Sequence, residues 1–180
     1  MQFLKKYLFI ICLAIIIFPK QVHGSSLMEV PSSFQFPSVT LTGETQDVQG
    51  GGGRIVVGDL LGLLENWRVT VQAAPIRQVG GTGITLPIGS LQLNGPSAGN
   101  NTYAHYIKEG SPWIIDRGEP VEILNNGLLV LGIGTIYSFD FGYDPFQLTI
   151  PSGTKLIDSG QESADYETTI TWTLISAGVL

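Results

Sequence analysis

The sequence predicts an all-β fold, a single-domain antiparallel β-sandwich with long irregular loops. Apolar and polar residues alternate with period two in several short stretches, most clearly Asn66 to Ala73 and Tyr166 to Ile175. Those stretches are rich in Thr, Val and Ile, which fit a pleated surface with one buried side. Between them stand Gly, Pro and Asn, and no segment sustains a capped 3.6-residue period, so strands recur without helices to cross between them.

In chain order, Lys5 and Lys6 precede the apolar run Tyr7 to Phe18, and Val22-His23-Gly24 follows, so residues 1–24 read as a secretory signal peptide. The run is about a dozen residues, short of the ~20 that a bilayer-spanning helix needs. Residues 25–180 are therefore expected to be one secreted domain with no membrane span. Cys12 falls inside the signal run, which leaves the mature domain without cysteine, a usage more natural for a bacterial exoprotein than for an animal extracellular module. Loss of Lys5, Lys6 and Lys20 leaves six basic side chains against 15 acidic ones, a net of −9. That balance excludes nucleic acid as a partner.

Phe34-Gln35-Phe36 and Val39-Thr40-Leu41 alternate as strands, with Pro37 marking an edge or a bend. Gln49 to Gly53, with its four glycines, reads as a flexible loop. Ile55 to Val57 is a short strand, and Asn66 to Ala73 is a second with Trp67, Val69, Val71 and Ala73 on one face. In Ile84 to Leu93 the apolar parity switches near Gly89, the mark of a bulge or turn. Val121 to Leu124 and Leu128 to Leu131 flank Asn125-Asn126-Gly127 as a hairpin would. Tyr137, Phe139, Phe141 and Tyr143 share one face of a further strand; Phe146 to Ile150 is another, stopped by Pro151. Tyr166 to Ile175 is expected to run as one final strand.

Trp172 and Leu174 repeat the spacing of Trp67 and Val69. The motif Tyr166-x-x-x-Ile170-Thr171-Trp172-Thr173-Leu174 resembles the second signature of the WxL domain, a cell-surface module of Gram-positive bacteria. Trp67-Arg68-Val69, with Asp59 and Gly62 upstream, is similar to the family's first signature, Val69 standing where Leu is usual. No proline follows the second motif, as it often does in the family. The resemblance runs from Phe34 to Leu180. It implies a non-enzymatic, secreted protein of the cell surface that holds the cell wall non-covalently, through peptidoglycan or another wall glycan. It also implies partners among other WxL-type surface proteins and a membrane-anchored protein. The alternative is an assembly subunit of such a complex with only indirect wall contact.

Two roles compete for the motif residues Trp67, Val69, Tyr166, Ile170, Thr171, Trp172 and Leu174: structural core or wall-binding surface. Alternation with threonine favours core, and Trp172→Ala is then expected to cost about 3–5 kcal/mol. Tyr103, Tyr106 and Trp113 lie in loop-like sequence and are the candidate ligand-contact aromatics. Catalysis has little support. His105 is the single histidine after the signal run, and no nucleophile motif adjoins it. The carboxylate pairs Asp116 with Glu119 and Asp140 with Asp144 would suit a glycosidase only at the separations such enzymes require. No cofactor and no metal are expected.

Overall fold

The structure, a computed structural model, describes residues 26–31, 33–59, 66–80, 84–96, 103–127, 135–153 and 164–177. The expected signal peptide and the second hairpin arm, Leu128 to Leu131, lie outside them. Among the described residues the regular structure is strand, apart from one short 3-10 turn. Its elements are β1 (Ser26–Glu29), β2 (Gln46–Asp59), β3 (Asn66–Ala73), β4 (Arg77–Gln78) and β5 (Leu91–Leu93), then β6 (Trp113–Ile114), β7 (Val121–Asn125), β8 (Thr135–Ile150), β9 (Tyr166–Glu167) and β10 (Ile170–Ala177). One 3-10 turn occupies Ala104–Tyr106. The sheets are antiparallel: a larger one in the order β1-β2-β8-β5-β6, a smaller one in the order β10-β3-β7, and a ribbon of β4 with β9. The two larger sheets pack face to face, as an antiparallel sandwich does. Trp67 of β3 meets Tyr137 of β8 at 5.3 Å between rings, and Trp172 of β10 meets Phe141 of β8 at 6.5 Å.

The strand predicted over Asn66 to Ala73 is β3, and its apolar row is buried: Trp67 is 1% exposed, and Val69, Val71 and Ala73 are fully covered. Ile123 and Leu124 of β7 and Ile55 and Val57 of β2 complete the same core. A turn at Gly89 (φ +95) separates Leu86 from β5, as the parity switch requires.

The strands expected separately over Tyr137 to Tyr143 and Phe146 to Ile150 are one, β8, bent at Gly142. Three further expectations are corrected. The glycine run is the middle of β2 and not a loop, because Gly50 to Gly53 is where the N-terminal segment is laid on the sheet. A Cβ at Gly53 would stand 3.2 Å from Pro31 Cα, one at Gly51 would stand 3.2 Å from Phe34 Cγ, and one at Gly50 would stand 3.0 Å from Phe36 Cδ1. As the chain advances from Pro31 to Phe36 its contacts fall back from Gly53 to Gly50, so the segment runs antiparallel along β2. Second, Phe34–Phe36 and Val39–Leu41 form no ladder strand. The two phenylalanines are a packing strap instead: Phe34 stacks on Phe146 at 4.4 Å and Phe36 meets Phe34 edge-on at 5.3 Å.

Third, the final strand is two. β9 pairs with β4, and β10 pairs with β3 over eight unbroken register positions. The cause lies opposite the break, at Ala74-Pro75. The register slips by one residue there, Ile170 facing Ala73 on one side and Glu167 facing Arg77 on the other, and Thr168 uses its Oγ1 to donate to the Ala74 carbonyl at 2.6 Å. The alternation itself is kept. Tyr166, Thr168, Ile170, Trp172 and Leu174 are half-buried, while Glu167, Thr169, Thr171 and Thr173 are exposed.

Candidate functional site

Register places the two tryptophan motifs side by side. Leu174 faces Val69, Trp172 faces Val71 and Ile170 faces Ala73, so both motifs project one apolar row into the sandwich. Opposed residues on neighbouring strands point to the same face. Trp67 lies centrally: Tyr106 meets it edge-on at 5.9 Å, Phe139 at 6.2 Å, and its backbone N–H donates to Asn126 Oδ1 at 2.9 Å. Asn126 N–H returns a bond to the Trp67 carbonyl at 3.2 Å. Arg68, on the outer face of the first motif, approaches Glu122 of β7 at 3.6 Å. Trp172 is half-buried because β10 is an edge strand, with no described strand beyond it.

The loop aromatics belong largely to the core. Tyr103 and Tyr106 stack at 6.0 Å, Tyr103 meets Tyr137 at 4.8 Å, and Tyr106 is buried while Tyr103 keeps part of its surface. Burial, with Tyr103 beside it, raises the Tyr106 hydroxyl above the ordinary tyrosine range. His105 is exposed and lies against the Tyr106 ring at 4.0 Å. Trp113 is part of β6 and only 6% exposed; it borders an open surface notch with Gly110, Pro112, Arg117, Glu119 and Pro120. That notch sets a largely covered aromatic beside an exposed cation and an exposed anion. Sugar rings are held by such a combination of apolar face and convergent polar groups. Arg117 escaped the sequence reading, since a lone arginine in a loop carries no periodic signal.

The four-aromatic face of β8 divides. Tyr137, Phe139 and Phe141 are buried; Tyr143 is 99% exposed. Between Arg54 and Gly50 of β2, β8 advances from Asp140 to Phe146, two residues more than its partner. The surplus is absorbed at Gly142 (φ +72) and Asp144 (φ +54), and Asp140 Oδ1 accepts the Gly142 N–H at 2.8 Å to fix the bend. Buried positions therefore change from odd to even along the strand, and Tyr143 is turned out. Gly142, Asp144 and Pro145 were the sequence signal for it.

One carboxylate of each pair, Asp116 and Asp140, serves structure. Asp116 is 4% exposed and holds the turn before β5: its Oδ1 accepts the Gly89 N–H at 3.0 Å, and its Oδ2 accepts those of Ser90 at 3.0 Å and Leu91 at 3.2 Å. Asp116→Ala is expected to cost about 2–4 kcal/mol, because three amides lose a charged acceptor inside the protein. Asp116→Asn, which keeps one acceptor oxygen, should cost about half of that. Urea midpoints of the two variants check this; equal midpoints for Asp116→Ala and the parent would refute it.

Among the described residues no group of three or more His, Cys, Asp or Glu is placed to hold a metal ion, and no helix is long and apolar enough to cross a membrane. Comparison with family models, with curated proteins and with solved structures returned no match.

Proposed function

We propose that this chain is a WxL-type surface protein that holds non-covalently to the bacterial cell wall through peptidoglycan. The observation that carries this reading is the register of β3 with β10. Two signatures about a hundred residues apart in sequence are adjacent in one sheet, Trp172 beside Val71 and Leu174 beside Val69. They form a single structural unit, as paired signatures of one module should. The wall contact is assigned to the Trp113 notch, which Arg117 and Glu119 also line. With a net negative chain, short-range stacking and hydrogen bonds must outweigh long-range repulsion from wall polyanions, which salt screens beyond ~8 Å.

Co-sedimentation of residues 25–180 with purified peptidoglycan, stripped of protein and teichoic acid, tests it at low and high salt. Retention that survives stripping and salt is expected, with at least a roughly fivefold loss in Arg117→Ala/Glu119→Ala, about 1 kcal/mol. The melting temperature of that variant should be unchanged, since both side chains are exposed. Retention that disappears with the wall proteins would overturn direct glycan binding in favour of an assembly subunit.

A further inference from the structure

Among the described residues, β10 from Ile170 to Leu174 pairs with a strand on one side only. Along β3, Ala74 N–H donates to the Thr169 carbonyl, whereas Ala73 N–H donates to the Ile115 carbonyl and the Trp67 carbonyl accepts from Asn126. Even residues of β3 therefore address β10 and odd residues face away from it. By the alternation of an antiparallel pair, Thr171, Thr173 and Ile175 of β10 are bonded to β3, through Gln72, Thr70 and Arg68. Ile170, Trp172 and Leu174 point their N–H and C=O groups outward. Among the described residues β3 is the single strand paired with β10. β1, the other edge on this side of the sandwich, gives its ladder to β2.

Natural edges are blunted by charge, proline or a bulge. β10 reads ITWTLISA, without a charged residue or a proline, and its pairing with β3 has no register shift. By contrast, the β1–β2 and β3–β7 ladders each contain one. The core side of β10 is also unfinished. Val69, Val71 and Ala73 are fully covered, while Leu174, Trp172 and Ile170 opposite them are only half-buried. One more strand would bond the free backbone groups and cover that row.

We propose that β10 takes an extended segment of another protein as an added strand. A second copy of this chain is the poorer occupant, since the net charge of −9 on residues 25–180 opposes association with itself. Asp165 and Glu167, both exposed, stand just before β10, with one cation, Arg77, opposite Glu167, so the local balance stays negative. The fitting segment is thus apolar at alternate positions, uncharged along the pairing edge and basic at one end. This inference does not rest on glycan binding, and its test contains no glycan.

Amide hydrogen exchange on residues 25–180 reads the edge directly. In the free chain the amides of Ile170, Trp172 and Leu174 should exchange at least roughly tenfold faster than those of Thr171, Thr173 and Ile175. Equal protection of all six would show the edge already covered and would overturn the proposal. A synthetic peptide of alternating valine and threonine with a lysine pair at one end should slow the three fast amides by roughly tenfold or more. The peptide should also shift Trp172 emission to the blue, a change lost in Trp172→Phe, because Trp67 and Trp113 are already buried. Leu174→Lys, on the core face, should abolish the peptide effect, and Ile175→Lys, whose side chain is on the exposed outer face, should keep it. Failure of the peptide to protect these amides, or protection placed elsewhere, would overturn the proposal. Formation of a dimer in the absence of peptide would also overturn it, by making a second copy the occupant.

Discussion

Trp67→Ala is expected to lower the stability of the domain by about 3–5 kcal/mol, the range for truncating a large buried aromatic. The ring is 1% exposed and is surrounded by Tyr106, Tyr137 and Phe139, drawn from the 3-10 turn and β8. Its removal leaves a cavity where the two sheets meet, and aromatic partners locked by their own packing can close that cavity only in part. Trp172→Ala should cost about 2 kcal/mol, near the lower end for such truncations, because its ring is half-buried at the edge. That reverses the sequence expectation, which assigned the full cost to Trp172. Denaturant unfolding of the two variants decides the order. Equal losses would mean that the β10 edge is covered in solution, and a larger loss at Trp172 would contradict the packing described here.

The second large effect belongs to a glycine. Gly51→Val should destabilise by at least about 3 kcal/mol, the sum of backbone strain at positive φ and overpacking. At Gly51 φ is +87, and a Cβ would stand 2.6 Å from Phe146 Cδ2 and 3.2 Å from Phe34 Cγ. Phe146 is fully buried and stacked on Phe34, so neither ring can retreat without uncovering core. Gly43→Val is the control. Its φ is +84 but nothing lies within 4 Å of its Cβ, so it should cost only the strain, about 1–2 kcal/mol. Thermal or urea unfolding of the pair separates the two contributions. If Gly51→Val is no worse than Gly43→Val, the strap of residues 31–36 does not lie on β2 as described.

Little of the notch was legible in the sequence, where Glu119 stood only as one of a carboxylate pair and Arg117 not at all. Trp113 was marked as a ligand-contact aromatic from its loop-like surroundings, and it does line the open notch, but most of its ring is covered by its place in β6. Tyr103 and Tyr106 carried the same signal and were drawn inward by Tyr137 and Trp67. Tyr143 carried the opposite signal, that of a core face, and was turned out by the bulge. In each case local sequence reports the character of a side chain, while its neighbours across the sheet decide whether water reaches it.

The sequence by itself determined the class of fold and most of its strands. Period-two alternation in Asn66 to Ala73, Val121 to Leu124, Tyr137 to Phe141 and Phe146 to Ile150 needs no partner to be read, because a strand with one side buried must alternate. Only the tertiary structure decided how those strands are joined and interrupted. Four glycines mean freedom in isolation, yet Pro31, Phe34 and Phe36 make Gly50 to Gly53 a tight crossing. Tyr166 to Ile175 alternates without a break, yet a one-residue slip in register opposite Ala74-Pro75, about ninety residues earlier, divides it between two sheets. Both outcomes depend on groups far away in sequence, and the hydrogen bonds and contacts that impose them exist only once the chain has closed on itself.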